Sequence, residues 1–268
     1  MPPGGEVPFI HLGVGNLLQS AGSGVVVKPL LSIVFAYYDN PLMLTYQLEQ
    51  FSTFPEDLLV RLEIIIVDDA SPRFGAERFA RRFPRLPIAV YRLDRDRPWN
   101  QDAARNIGVK EAHSDNILLT DIDHIVPQET ARVLLGMVDQ STVFTFGRRA
   151  HFSRKIVHSH INSYFMARDL YWKIGGYDED FWGTYGTDWY FRRRAQRIAD
   201  VREMTEVRLE LVTKGSVADA KNQVFSRNPS LLRRARSFIL LWSKRLGLLE
   251  SPKVLSNSYR QTYSQQES

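Results

Sequence analysis

The chain has 268 residues, 44% of them hydrophobic and 24% charged, which is enough for one substantial core and ordinary for a globular protein. Its 35 Lys and Arg against 30 Asp and Glu leave a net charge of +5, too modest an excess for a dedicated nucleic-acid binder. There is no cysteine, which excludes a disulfide framework, a thiolate nucleophile and Cys-ligated zinc, so any metal chemistry must use oxygen or imidazole ligands.

Residues 1–29 are glycine-rich and aperiodic and are expected to form a tail or loosely docked arm. The scattered glycines do not follow a strand and open a helix, so a dinucleotide fingerprint is not expected. Leu30 to Ala36 is a short apolar, β-branched run that predicts a strand, and Asp39-Asn40-Pro41 supplies turn and helix-start chemistry. Leu42 to Phe54 has helical spacing; Leu62 to Val67 reads as a buried strand that stops at Asp68-Asp69-Ala70-Ser71-Pro72. Phe74 to Phe83 then predicts a basic amphipathic helix, Ile88 to Arg92 a strand, Asp102 to Ala112 a helix, and Asn116 to Thr120 a strand closed by Asp121-Ile122-Asp123.

Strands and helices alternating with short links predict an α/β domain with a Rossmann-like, mainly parallel sheet flanked by helices. Ligands in such sheets sit beyond the carboxyl ends of the strands, where Asp39, Asp68, Asp69, Asp121 and Asp123 all fall. Farther on come a strand over Val143 to Arg148, a mixed aromatic and basic stretch to Arg168, the run Gly175-Gly176-Tyr177-Asp178-Glu179-Asp180-Phe181, and a helix from about Asp188. Ser230 to Leu249 predicts a basic amphipathic helix, and the polar end, Ser256 to Ser268, is expected to be disordered. The domain reading is thus an arm at 1–29, a catalytic domain at 30–227, and a helix with a polar tail at 228–268.

Locally, several acids have two readings. Asp121 and Asp123, one residue apart at a strand end, can bind Mg²⁺ or Mn²⁺ or simply form a solvated turn. Asp68 and Asp69 can receive hydrogen bonds from a ligand or act as turn formers beside Pro72. Asp188 suits the first turn of a helix behind a Thr187 N-cap, and a carboxylate there can also serve as a base. Trp182, Tyr185 and Trp189 can stack on a sugar ring or fill core. Asp178, Glu179 and Asp180 can shape a ligand loop or face water.

The ordered set is more specific than any member. Ser32 to Asn40, Ile65 to Ser71, Ala104-Arg105-Asn106-Ile107-Gly108, Leu119 to Asp123, Gly175 to Glu179 and Gly186-Thr187-Asp188 together resemble the family 2 glycosyltransferases with the GT-A fold. The resemblance implies a nucleotide-diphospho-sugar donor, UDP-sugar favoured, held by the first half of the domain, and a hydroxyl acceptor on a glycan, lipid or protein bound by the second. It implies that Ala36, Tyr38 and Asp68 or Asp69 hold the nucleoside and that Arg105 faces base or phosphate. Asp121 then lies near ribose and metal, Asp123 is a direct ligand of Mn²⁺ or Mg²⁺, and Asp188 is the catalytic base of an inverting transfer. Taken alone, Arg105 and Asn106 read as helix surface.

The chain departs from the family pattern in three places. Thr187 stands where the usual pair has Glu. The Gln-x-x-Arg-Trp motif of processive synthases is absent, so a single, non-processive transfer is expected. The last histidine is His160, so a late histidine ligand is missing; His124 beside the acidic pair can substitute for it or be packed. Other readings are a catalytically inactive GT-A-like ligand- or partner-binding module, and nucleic-acid binding through Arg192-Arg193-Arg194, which lacks a sustained basic block. No apolar run reaches the roughly 18–20 residues a membrane span needs. The chain is accordingly expected in the cytoplasm, with its C-terminal helix either packed on the domain or a partner, or in peripheral contact with the inner face of the membrane.

Overall fold

The computed structural model describes residues 28–265 except 138, 152–155, 185, 214, 216, 219–230 and 250–251. The expected N-terminal arm lies outside the described residues as far as residue 27. Four strands, β1 (Leu31–Tyr37), β2 (Leu62–Asp68), β3 (Ile88–Leu93) and β4 (Asn116–Asp121), pair in parallel in the order β4-β1-β2-β3. Ile64, Ile65, Ile66 and Val67 are all fully buried, because helices cover both faces.

On one face lie α1 (Pro41–Ser52), α2 (Glu56–Leu59), α3 (Ala76–Ala80) and, after the two-residue strand β5 (His124–Ile125), α5 (Gln128–Leu135). Asn40 caps α1 by accepting from the Met43 N–H at 3.3 Å, with Pro41 at the first helical position. The opposite face is covered by α4 (Gln101–Glu111), α6 (Arg168–Ile174) and α7 (Asp188–Ile198). The helix expected over Phe74 to Phe83 is shorter, because it starts only after Gly75 and unwinds before Pro84.

The sheet is broader than the sequence pattern foretells. Beyond β4 come β7 (Ile156–Ala167), β6 (Thr142–Ala150), β8 (Asp200–Leu211) and β5, and beyond β3 comes β9 (Tyr259–Ser264). The β4–β7, β6–β7, β5–β8 and β3–β9 pairs are antiparallel, whereas β6 and β8 pair in parallel, so the sheet is mixed outside its parallel central block. The polar end expected to be disordered is ordered from Ser256 to Gln265. A register shift at Val90/Tyr91 lets Tyr263 join the core on one face while Tyr259 packs near Tyr91 on the other.

Helix α4 approaches β1 closely at Gly108, where an added Cβ would stand 2.2 Å from Val34 Cγ1. Ala is the better helix former by about 1 kcal/mol. Val34, however, is β-branched and pinned in a central strand, and overpacking of this kind costs about 1–3 kcal/mol or more. Gly108→Ala is therefore expected to be a net loss of roughly 2 kcal/mol, read as a lower denaturant midpoint.

Candidate active site

The carboxyl edge of the parallel block assembles the site, and the local backbone there is strained. Asp39 (φ 42°) after β1, Ala70 (φ 56°) after β2 and Trp99 (φ 48°) before α4 are left-handed without being glycine. Such conformations persist only where the surroundings compensate. Asp39 accepts from the Arg73 and Phe74 N–H groups and from Arg73 Nε at 2.9 Å, while its own N–H donates to Ser71 Oγ.

The two acids after β2 divide their work. Asp68 is saturated by its own chain: Oδ1 accepts from the Ser71 N–H at 2.7 Å, and Oδ2 from the Ala76 N–H at 2.9 Å and Arg92 Nη1 at 2.8 Å. It is a buried turn former. Asp69 accepts from the Asn100 N–H at 3.0 Å through Oδ2, but its buried Oδ1 has no partner among the described residues. Burial pushes the Asp69 carboxyl well above the ordinary range; the Asn100 N–H opposes this, and Asp68, Asp96 and Asp102 add to it. Asn100 Oδ1 and Asn162 Oδ1 are likewise buried and unpartnered. Tyr38 lies half-buried with its hydroxyl 3.3 Å from Asp96, and Ala36 near the end of β1 is half-buried.

Arg105 is no surface residue. It is 2% exposed, lies with its guanidinium 4.7 Å from the Tyr177 ring centroid, and bridges two carboxylates: Nη2 donates to Asp121 Oδ1 at 2.6 Å, and Nη1 donates to Asp188 Oδ1. The Tyr177 hydroxyl also donates to Asp188 Oδ1, at 3.2 Å. Arg105 thereby ties the end of β4 to the start of α7. Asp121 further accepts from Gln101 Nε2 at 3.0 Å and Asn162 Nδ2 at 3.2 Å.

Asp121, Asp123 and His124 each bring one ligand-capable atom within 4.8 Å of the others. Two carboxylates and one imidazole suit a hard divalent ion, Mn²⁺ or Mg²⁺. His124 is buried, with Nδ1 2.7 Å from Asp123 Oδ1, and its backbone carbonyl is held by Gln47 Nε2 at 2.7 Å.

The sequence reading missed Asp102, one turn before Arg105 on α4. Its carboxylate is buried and accepts from Thr187 Oγ1 at 3.1 Å, so the threonine at the Glu position of the family pair meets an acid delivered from another helix. Burial first, then the charge of Asp188, push the Asp102 carboxyl up from 3.8 to about 7, against Arg105 and the Thr187 hydroxyl. The folded value lies above the unfolded one. The stability associated with this proton is therefore complete below about pH 4 and lost as pH rises through about 7, a swing of roughly 4 kcal/mol. Asp102→Asn keeps an acceptor for Thr187, and is expected to be more stable than the parent above pH 7 and to flatten its stability profile between pH 5 and 8, as read by urea midpoints.

The glycine-rich segment is built in, not solvated. Gly175 (φ 93°) caps α6 and Gly176 (φ 58°) turns the chain, and a Cβ at Gly176 would meet Asn106 Oδ1 at 2.8 Å. Asn106 holds the segment through Tyr177 and Glu179. Glu179 accepts in addition from Leu255, Ser256 and Asn257, and Asp178 forms a buried ion pair with Lys244 at 2.7 Å. The solvated reading is thus corrected for Asp178 and Glu179. Trp182 is half-buried, with the Arg236 guanidinium 4.3 Å from its ring centroid, whereas Trp189 is 43% exposed and is not core. Tyr185 lies outside the described residues.

Two solved structures share this architecture at low identity. The S. aureus TarS 1–349 structure in complex with UDP-GlcNAc aligns at a TM-score of 0.57 and 16% identity, covering 73% of this chain and 62% of that one. The mannosyltransferase PcManGT from Pyrobaculum calidifontis, in complex with GDP-Man and Mn²⁺, aligns at 0.54 and 17% identity, covering 84% and 66%. A Bacillus subtilis (strain 168) protein, the uncharacterized glycosyltransferase YwdF, is 40% identical over 93 residues, which is 35% of this chain and 32% of that relative. This chain thus matches about a third of YwdF. The sequence model of Glycosyl transferase family 2 matches residues 50–198, from α1 to the last residue of α7 and more than half of the chain. With that span and this fold, the chain belongs to glycosyl transferase family 2 and has the GT-A architecture that its sequence blocks resemble.

Proposed function

We propose that the protein transfers one sugar from a nucleotide-diphospho-sugar, a UDP-sugar in the first instance, to a hydroxyl on a glycan, lipid or protein, with inversion and with the help of Mn²⁺ or Mg²⁺. The observation that carries this reading is the joining of the Asp121–Asp123–His124 group to Asp188 through a shared buried cation, Arg105. Asp69, with an unpartnered buried oxygen, is the acid left to meet the nucleoside beside Ala36 and Tyr38. Family membership and structural neighbours that hold UDP-GlcNAc, or GDP-Man with Mn²⁺, support the same class of donor.

Asp188 takes the proton of the acceptor hydroxyl as its oxygen bonds to the anomeric carbon. The bond from that carbon to the diphosphate oxygen breaks, and its electron pair leaves on the nucleotide. Arg105 and the Tyr177 hydroxyl fix Asp188 for this step, and a divalent ion, when bound by Asp121, Asp123 and His124, supplies charge neutralisation for the diphosphate.

Thermal-shift titration of the protein with UDP, GDP, CMP and dTDP compounds, each with Mn²⁺, Mg²⁺ or chelator, tests the donor half. Stabilisation by one nucleotide only with metal is expected. No response to any of them would leave a ligand- or partner-binding module as the better reading. Asp123→Ala is expected to weaken the metal-dependent part of donor affinity on the order of 100-fold, at or above the effect of losing a metal ligand's supporting partner. Unchanged affinity in that variant removes Asp123 from the ligand set.

A further inference from the structure

Helix α8 (Leu231–Arg245) is seated with its polar side inward. Arg236 donates to the carbonyls of Trp182 and Asp180 at 2.7 and 2.8 Å, Ser237 Oγ meets Thr184 Oγ1 at 2.6 Å, and the Lys244 ammonium is buried between Asp178 and Asp180. Leu240 and Leu241 are half-buried, and the other large apolar residues point away from the domain. Leu231, Phe238, Ile239, Trp242 and Leu246, at spacings of 7, 8, 11 and 15 from the first, share one side of a helix with 3.6 residues per turn and are 45–84% exposed. Monomeric proteins rarely leave such a stripe bare.

We infer that this outer face of α8 lies on an anionic lipid surface. The charge pattern selects that occupant. From Leu231 to Leu249 the sequence contains no Asp or Glu, and exposed Arg234 and Arg245 flank the stripe near its two ends. Trp242, with Arg245 5.6 Å from its ring centroid, has the amphipathic character suited to the headgroup boundary. A second copy of the helix fits less well. Pairing two such stripes antiparallel about their midpoint brings Arg234 of one against Arg245 of the other, with no acid on either helix to relieve the repulsion. No helix among the described residues is long and apolar enough to cross a bilayer, so the contact is one of lying on the surface. The inference stands apart from the proposed sugar transfer and requires no donor.

The test is co-sedimentation of the full chain with vesicles of phosphatidylcholine alone and of phosphatidylcholine mixed with phosphatidylglycerol, at low and high salt. Binding to the mixed vesicles, weakened by salt and much weaker on the neutral ones, is expected. The double variant Phe238→Ser with Trp242→Ser is expected to bind on the order of 100-fold less, and Arg234→Gln with Arg245→Gln roughly tenfold less. Both pairs are exposed, so their melting temperatures should match the parent. Absence of binding to anionic vesicles at low salt overturns the inference, as does equal binding to neutral ones. A dimer in sizing experiments that the Phe238/Trp242 variant dissociates, with no vesicle binding, assigns the face to a second copy instead.

Discussion

An Asp188→Asn protein is expected to bind donor as the parent does and to lose transfer by roughly 10²- to 10⁴-fold in kcat, the range attached to a positioned general base. The amide keeps the size of the side chain and an oxygen for Arg105 and Tyr177 to address, but it cannot take the acceptor proton. Arg105 retains Asp121 as its counterion, so the cation is not stranded. Removing the charge of Asp188 also relieves Asp102, whose carboxyl it helps to push up. These two effects oppose the loss of the ion pair and keep the folding penalty below the roughly 3–5 kcal/mol of a fully broken buried pair. Steady-state kinetics, calorimetric nucleotide binding and urea midpoints on one preparation separate the outcomes. A fall in kcat with donor affinity intact supports a base; parallel falls in all three mark a structural acid, and retained turnover removes Asp188 from the chemistry.

The parts of the molecule that were legible in the sequence share one physical property: their signal is local. Each central strand is buried on both faces, so it appears as a continuous run such as Ile64 to Val67 and needs no partner to be recognised. Strand β8 alternates irregularly, with only Met204, Val207 and Leu209 fully buried among its charges, and β9 is polar except for two tyrosines. Both are strands because of what they pair with, which a short window cannot contain. The same holds for the site. Asp121 and Asp123 are visible because a strand end presents them, whereas Asp178 and Glu179 can be read as loop-shaping or as solvated until Lys244 and residues 255–257, 66 to 78 positions away, supply their partners. Asp102 could have been found from its spacing of three from Arg105, which places both on one helical face, but it takes Tyr177, Thr187 and Asp188, about 70 to 85 positions away, to bury that face.

Arg105→Met should be the most destabilising single change in the site. Methionine fills much of the volume and can pack on Tyr177, so the cost is mainly electrostatic. Three buried or half-buried carboxylates, Asp102, Asp121 and Asp188, would then share a space whose cation has gone. Stranding buried charge costs roughly 3–5 kcal/mol, a large part of the total stability of an ordinary domain. The sign of its pH dependence follows from Asp102. Arg105 now lowers that carboxyl's affinity for its proton, so without the guanidinium Asp102 titrates above its value of about 7, and the folded variant holds the proton more tightly still. Stability is therefore lost as pH rises through and above 7, and the gap between variant and parent should narrow toward pH 5 and widen toward pH 8. Adding Asp188→Asn to Arg105→Met removes one repelling charge and should recover part of the loss, a coupling that a double-mutant cycle of urea midpoints measures directly. If the two substitutions simply add, the carboxylates do not share the cation in solution, and Arg105 acts on Asp121 alone.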